Sequence, residues 1–162
     1  MAYDIITIIP TLSLVAYSAS DVIFTSTLIK LPHSKCKIIN IDAVWQDTGA
    51  ATDEFTLMFF KENTHQLGTI NTAVDISAAE IKVNGFLGAS RLANVGETAL
   101  GTPSLFASQT LNDIGATSSD SPDVVLVGGS TRNTCFVQGF FENDTITAES
   151  TDQLVITLHV EY

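Results

Sequence analysis

"DQLVITLHVEY", residues 152–162, alternates without a break. Leu154, Ile156, Leu158, Val160 and Tyr162 fall on one parity, and Gln153, Val155, Thr157, His159 and Glu161 on the other. A β-strand turns successive side chains to opposite faces, so this is a strand with one face dry and one face wet. Chain ends fray unless something ties them down. A strand this regular at the last residue therefore predicts neighbours beside it and a second layer over its apolar face.

Similar runs recur upstream. "YDIITII" (3–9) is a strand stopped by Pro10. "DVIFTSTLIKL" (21–31) places Val22, Phe24, Ser26 and Leu28 on one face and Ile23, Thr25, Thr27 and Ile29 on the other, so it is covered on both sides. In "KCKIINIDAVW" (35–45), Ile39, Ile41, Ala43 and Trp45 share a parity, and Cys36, Ile38, Asn40, Asp42 and Val44 share the other. After the polar turn "QDTGAATDE" (46–54) comes "EFTLMFFK" (54–61), where Phe55, Leu57 and Phe59 face the core and Met58 and Phe60 need separate cover. "GFLGASRLANVG", "TALGTPSLFASQ", "DVVLVGG" and "TRNTCFVQGFF" are further strands, with "NDIGATSSDSPD" (112–123) a polar loop.

One piece departs from this pattern. In "DISAAEIKVNGF" (75–86), Asp75 or Ser77 is placed to cap a helix and Glu80 stands three residues after Ser77. Ile76, Ile81 and Val83 pack it down, and Gly85 ends it. A helical turn bridging two sheet layers is expected. Short strands with one such turn define an all-β fold, an antiparallel β-sandwich or jelly roll. Helices long enough for parallel βαβ units are missing. The chain, residues 1–162, reads as a single β-sandwich domain, with residues 1–15 either its first strand or an extended anchor to a neighbouring subunit.

The 162 residues carry seven Lys and Arg against eighteen Asp and Glu, a formal net charge of -11. Nucleic-acid backbone is bound by clustered Lys and Arg, so direct DNA or RNA binding is not expected. There is no basic face for an anionic membrane either. No Lys or Arg precedes the N-terminal apolar stretch, which does not read as a secretory signal. Charged residues make up only 15% while hydrophobic ones reach 45%; a surface so lightly charged is either covered by partners or rich in Ser and Thr. Cys36 and Cys135 lie in strand-like runs and read as buried thiols, with a disulfide the alternative.

Catalytic patterns are lacking. His33, His65 and His159 form no H-x-H or HExxH pair and the cysteines no CxxC, so no metal and no cofactor is expected. No serine sits in GxSxG. "VGGSTRN" (127–133) lacks the GK[ST] ending of a phosphate loop and reads as a glycine turn. Asp42, Asp47, Asp53 and Glu54 do not match calcium-loop spacing. The chain is not expected to be an enzyme.

Taken in order, "AYSASDV", "KIINIDAVWQDTG", "FTLMFFKE" and "DISAAEIKVNGFLG", with the C-terminal strand, resemble the small β-sandwich structural proteins of tailed bacteriophages, capsid decoration or knob-like proteins among them. The likeness lies in the order of pieces, and no functional residue is carried over from it. It implies a virion component on the outer surface of the capsid, assembled in the host cytoplasm. Its partners would be the major capsid protein or other virion proteins and its own copies, as a homo-oligomer such as a trimer. Candidate protein-interface residues are Tyr3, Ile5, Ile6, Ile8, Ile9 and Leu12, with Met58 and Phe60. The alternative is a receptor- or carbohydrate-binding module of a tail or fibre, which exposed Tyr3, Tyr17, Trp45 or Tyr162 over a shallow groove would mark.

Overall fold

The computed structural model describes residues 2–45, 54–97, 104–108, 124–142 and 146–162. They form β1 (Tyr3–Ile8), β2 (Val22–Lys30), β3 (Lys35–Trp45), β4 (Phe55–Phe60), α1 (Ala78–Val83), β5 (Phe86–Glu97), β6 (Ser104–Ser108), β7 (Val125–Val127), β8 (Thr134–Phe141) and β9 (Leu154–Glu161). The expected turn at 46–53 and loop at 112–123 lie outside these residues. The strands hydrogen bond in the order β1-β9-β3-β6-β5-β4-β8-β2, with β7 also on β3, and every pairing is antiparallel. The ladder folds over between β6 and β5. One leaf holds β1, β9, β3 and β6, the other β5, β4, β8 and β2, and side chains of both leaves share one core. The fold is the all-β sandwich that the alternation predicts.

β9 lies inside its leaf. It pairs with β1 from Tyr3↔Glu161 to Ile8↔Ile156, and with β3 from Lys37↔Glu161 to Trp45↔Leu154. Leu154, Ile156, Leu158 and Val160 are completely buried. Tyr162 leaves that face and stacks on His33, ring centroids 6.0 Å apart, while its backbone N–H and C=O both pair with Ala2. The N-terminal segment is thus the outer strand of its own sheet, with Ile8 and Leu12 in the core.

β3 breaks the simple parity. Cys36 and Ile38 are buried, and so are Ile41, Ala43 and Trp45, which belong to the other parity. The pairing with β9 slips between Ile38 and Asn40, and Ile39 is the extra residue. A bulge of this kind resets which side chains face inward. It keeps both halves of β3 on the core and pushes Ile39 outward, 39% exposed. Register shifts between Val22, Phe24 and Thr27 on β2 do similar work, placing consecutive Ile23 and Phe24 in the core.

β4 has both faces covered, by two different cores. Phe55, Leu57 and Phe59 enter the main core. Phe60, on the opposite face, joins Val22 and Leu67 in a smaller cluster, with Met58, Val74, Ile76, Ile81 and Phe140 packed around it. The cover is the excursion between β4 and β5. Ser77 caps α1 in a reciprocal box with Glu80, and Gly85, at φ 64°, follows the C-cap Asn84. The helical turn therefore lies over one leaf; it does not bridge the two. Phe60, expected at a subunit interface, is fully buried within the chain, and Met58 is half-buried in the same layer. The apolar surplus on β4 is absorbed without a partner.

Replacing Phe55 or Phe59 with Ala is expected to destabilise the fold by about 3–5 kcal/mol in chemical denaturation, the usual range for truncating a buried Phe. A loss under about 1 kcal/mol at both positions would contradict their burial. Removing residues from Asp152 onward should abolish a cooperative melt, since β1 and β3 would each lose a partner.

Candidate functional site

Of the candidate interface residues, Tyr3, Ile5 and Ile9 are exposed at 63%, 60% and 56%, and Ile6 is half-buried against the core. Ile8 and Leu12 are buried, because they alternate inward from β1 and the turn that follows it. The same turn exposes Leu14 and Val15, at 54% and 62%, which lie within the expected 1–15 anchor segment but are not among the candidate interface residues. Both sit in an irregular segment where strand parity gives no guidance.

That segment is firmly held. The Leu12 N–H donates to Thr151 O at 2.9 Å, and Tyr17 N–H to Ile146 O at 2.7 Å. The Tyr17 hydroxyl accepts from Ser13 N–H at 2.6 Å and donates to the Ile23 carbonyl at 3.0 Å. Its ring is buried and stands edge-on to Phe141, centroids 5.4 Å apart. Burial pushes the Tyr17 phenol above its ordinary range, with Ser13 pulling the other way and Asp21 adding to the rise. Ile9, Leu14 and Val15 are thus exposed apolar side chains at β1's end and on a pinned turn.

The other end of the same leaf carries a groove of about 510 Å³ lined by Tyr3, Asp4, Ile5, Ile39, His159 and Val160. The register aligns Ile5, His159 and Asn40 across β1, β9 and β3. Asp42 Oδ2 accepts from Asn40 Nδ2 at 2.9 Å and from His159 Nε2 at 3.1 Å. Along β1, six residues from Tyr3 to Ile9 at about 3.3 Å each separate the groove from Ile9 by about 20 Å. Sequence reading named Tyr3 and Tyr162 as candidate platforms, and both are exposed; Tyr17 and Trp45 are buried instead.

Two further titratable groups are paired within the chain. His65 faces Glu80 at 3.3 Å, and its backbone is held by Asn84. In the glycine turn, Ser130 N–H and hydroxyl both donate to Glu62, at 2.6 and 2.7 Å, and hold that carboxyl below its usual range. A carboxylate already occupies the place an anion would take. Among the described residues no group of His, Cys, Asp and Glu is arranged to hold a metal ion, and no helix is long and apolar enough to cross a membrane. No family model matches the chain, and no curated protein is significantly similar to it.

Cys36 and Cys135 are free buried thiols. Burial, with a smaller contribution from Cys36, pushes the Cys135 thiol up to about 12, and burial chiefly raises Cys36 as well. The thiolate is the reactive form, and a thiol at about 12 is ionised in only about one molecule in 10⁴ at pH 8. Iodoacetamide at pH 8 should therefore leave Cys135 unmodified in the folded protein and label both cysteines in denaturant, as read by intact mass. Rapid labelling of Cys135 under native conditions would contradict its burial.

Proposed function

We propose that this chain is a virion structural protein that docks on the outer surface of a bacteriophage head, as a capsid decoration or surface protein, and acts by contact, not by catalysis. The observation that supports this reading best is the exposure of Ile9, Leu14 and Val15 on and beside a turn whose neighbours Leu12, Ser13 and Tyr17 are held by the Thr151 carbonyl, the Tyr17 hydroxyl and the Ile146 carbonyl. Soluble proteins leave single apolar side chains exposed freely, but several on and beside one pinned turn offer a preformed contact. The resemblance in sequence order points to the same setting. A net charge of -11 favours the outside of the shell over the packaged DNA. The partners are the major capsid protein or a neighbouring virion protein, with self-association, a trimer for instance, on the particle.

The test mixes the purified protein with shells lacking it and measures occupancy as salt rises to about 1 M, where the Debye length is about 3 Å. Apolar contact predicts retention, because screening weakens exposed ion pairs and leaves apolar burial intact. Leu14→Asp and Val15→Asp should abolish binding with little change in the melting temperature. Point variants are required, because removing the residues before Ile9 would strip β1 from β9. No binding of the wild type at any salt, or unchanged binding of both variants, would refute the docking reading.

A further inference from the structure

We infer that the outer edge of β1 takes up an extended strand from a partner protein, one that carries a Lys or Arg opposite Asp4. Ala2 and Tyr162 exchange both backbone hydrogen bonds, at 3.0 Å each. In an antiparallel ladder such bonded pairs alternate with pairs whose N–H and C=O groups turn away from each other. The unbroken register therefore directs Asp4, Ile6 and Ile8 to β9 and turns the backbone groups of Ile5 and Thr7 to the outer edge. β1 ends the strand order, and Ile5 and Thr7 are both exposed. Among the described residues the other end of the order is β2, and its edge is occupied in part from within the chain. Ser26 N–H donates to Gln66 Oε1 at 2.7 Å, and Val22 bonds to Asn71 and Thr72. The edge of β1 has no such cover among the described residues.

Charge selects the occupant. Asp4 is the only charged residue of β1, and its Oδ1 accepts from the outward Ile5 N–H at 2.8 Å. A strand laid beside β1 faces that carboxylate. A cationic side chain opposite it makes a favourable cross-strand pair, and a like charge there is destabilising. The cation also draws the carboxylate off the Ile5 N–H, which then joins the new ladder with the Ile5 carbonyl and both groups of Thr7. A second copy of this chain would bring another Asp4 and another net charge of -11, so it is repelled. On the opposite face of β1 from Asp4, Ile5 is 60% exposed and offers an apolar neighbour. The matching segment is therefore extended and alternating, basic on one face and apolar on the other. Main-chain bonds supply its affinity and the alternate side chains its selectivity. This inference stands independently of the virion reading, since it uses the β1 edge and not the turn that carries Leu14 and Val15.

The test titrates the full chain by NMR, at millimolar concentration, with a peptide of about ten residues that alternates Val and Thr around one central Lys, and with its Glu counterpart. Expected are saturable binding of the Lys peptide, about tenfold tighter than the Glu peptide, and slowed hydrogen exchange at the Thr7 N–H. Asp4→Ala should erase the preference for Lys over Glu. Thr7→Pro removes an outward N–H and none of the bonds to β9, so it should lose the peptide. Ile5→Lys, which sets a like charge on the edge, should lose it too, and serves where the proline lowers the melting temperature. No saturable binding of the Lys peptide overturns the inference. So do equal binding of the two peptides, binding that both edge variants retain, or protection of the Thr7 N–H by self-association of the protein alone.

Discussion

Everything in this sandwich hangs on β9 being paired along both edges. Its four core side chains, Leu154, Ile156, Leu158 and Val160, are fully buried only because β1 and β3 hold the strand flat beneath the opposite leaf. Burial of that kind is worth about 1.5–3 kcal/mol for each large aliphatic side chain. The pairing joins residues near opposite ends of the chain, as Tyr3 with Glu161. Such long-range contacts are slow to form, because loop closure precedes their reward. Turn and groove both depend on this strand: Thr151, just before it, anchors the turn at Leu12, and His159, within it, holds Asp42.

The fold was legible where alternation is strict. β9 reads directly, as does the inward face of β4, and the Ser77–Glu80 box announces α1. β3 was legible as a strand but not in its facing, because one extra residue at Ile39 inverts the parity halfway along. Nothing local distinguishes a bulged Ile-Ile pair from a regular one. The cover for Phe60 was legible as a need and not as an answer. A polar-looking excursion supplies it through Leu67, Val74, Ile76 and Ile81, which are spread too thinly to form a periodic face.

The candidate site was legible only in part, for a related reason. Tyr3, Ile5 and Ile9 follow from position on an outer strand. Asp42 and His159 are 117 residues apart and meet only through strand register. Leu14 and Val15 stand out once the Tyr17 hydroxyl is seen to bridge Ser13 and Ile23. The two leaves also differ in dress. The excursion covers Met58 and Phe60 on one leaf, yet both leaves keep exposed apolar side chains, Leu28 and Phe86 on the first and Ile5 and Ile39 on the second.

The roof over β4 has a consequence for how the molecule breathes. The excursion leaves and rejoins the sheet at one place, where Lys61 N–H donates to the Gly85 carbonyl and Glu62 N–H to the Asn84 carbonyl. Its cluster is small, built on Val22, Phe60 and Leu67, whereas the main core draws on both leaves. Cooperative units of unequal size open with unequal free energies. Lifting the roof breaks its own bonds to Ser20, Val22 and Gln138 but leaves the pairing between strands in place, so amide exchange should separate into two tiers. The lower tier is also the vulnerable one, because lifting it bares Phe60 and Met58 on a sheet face already formed and ready to stick to another like it.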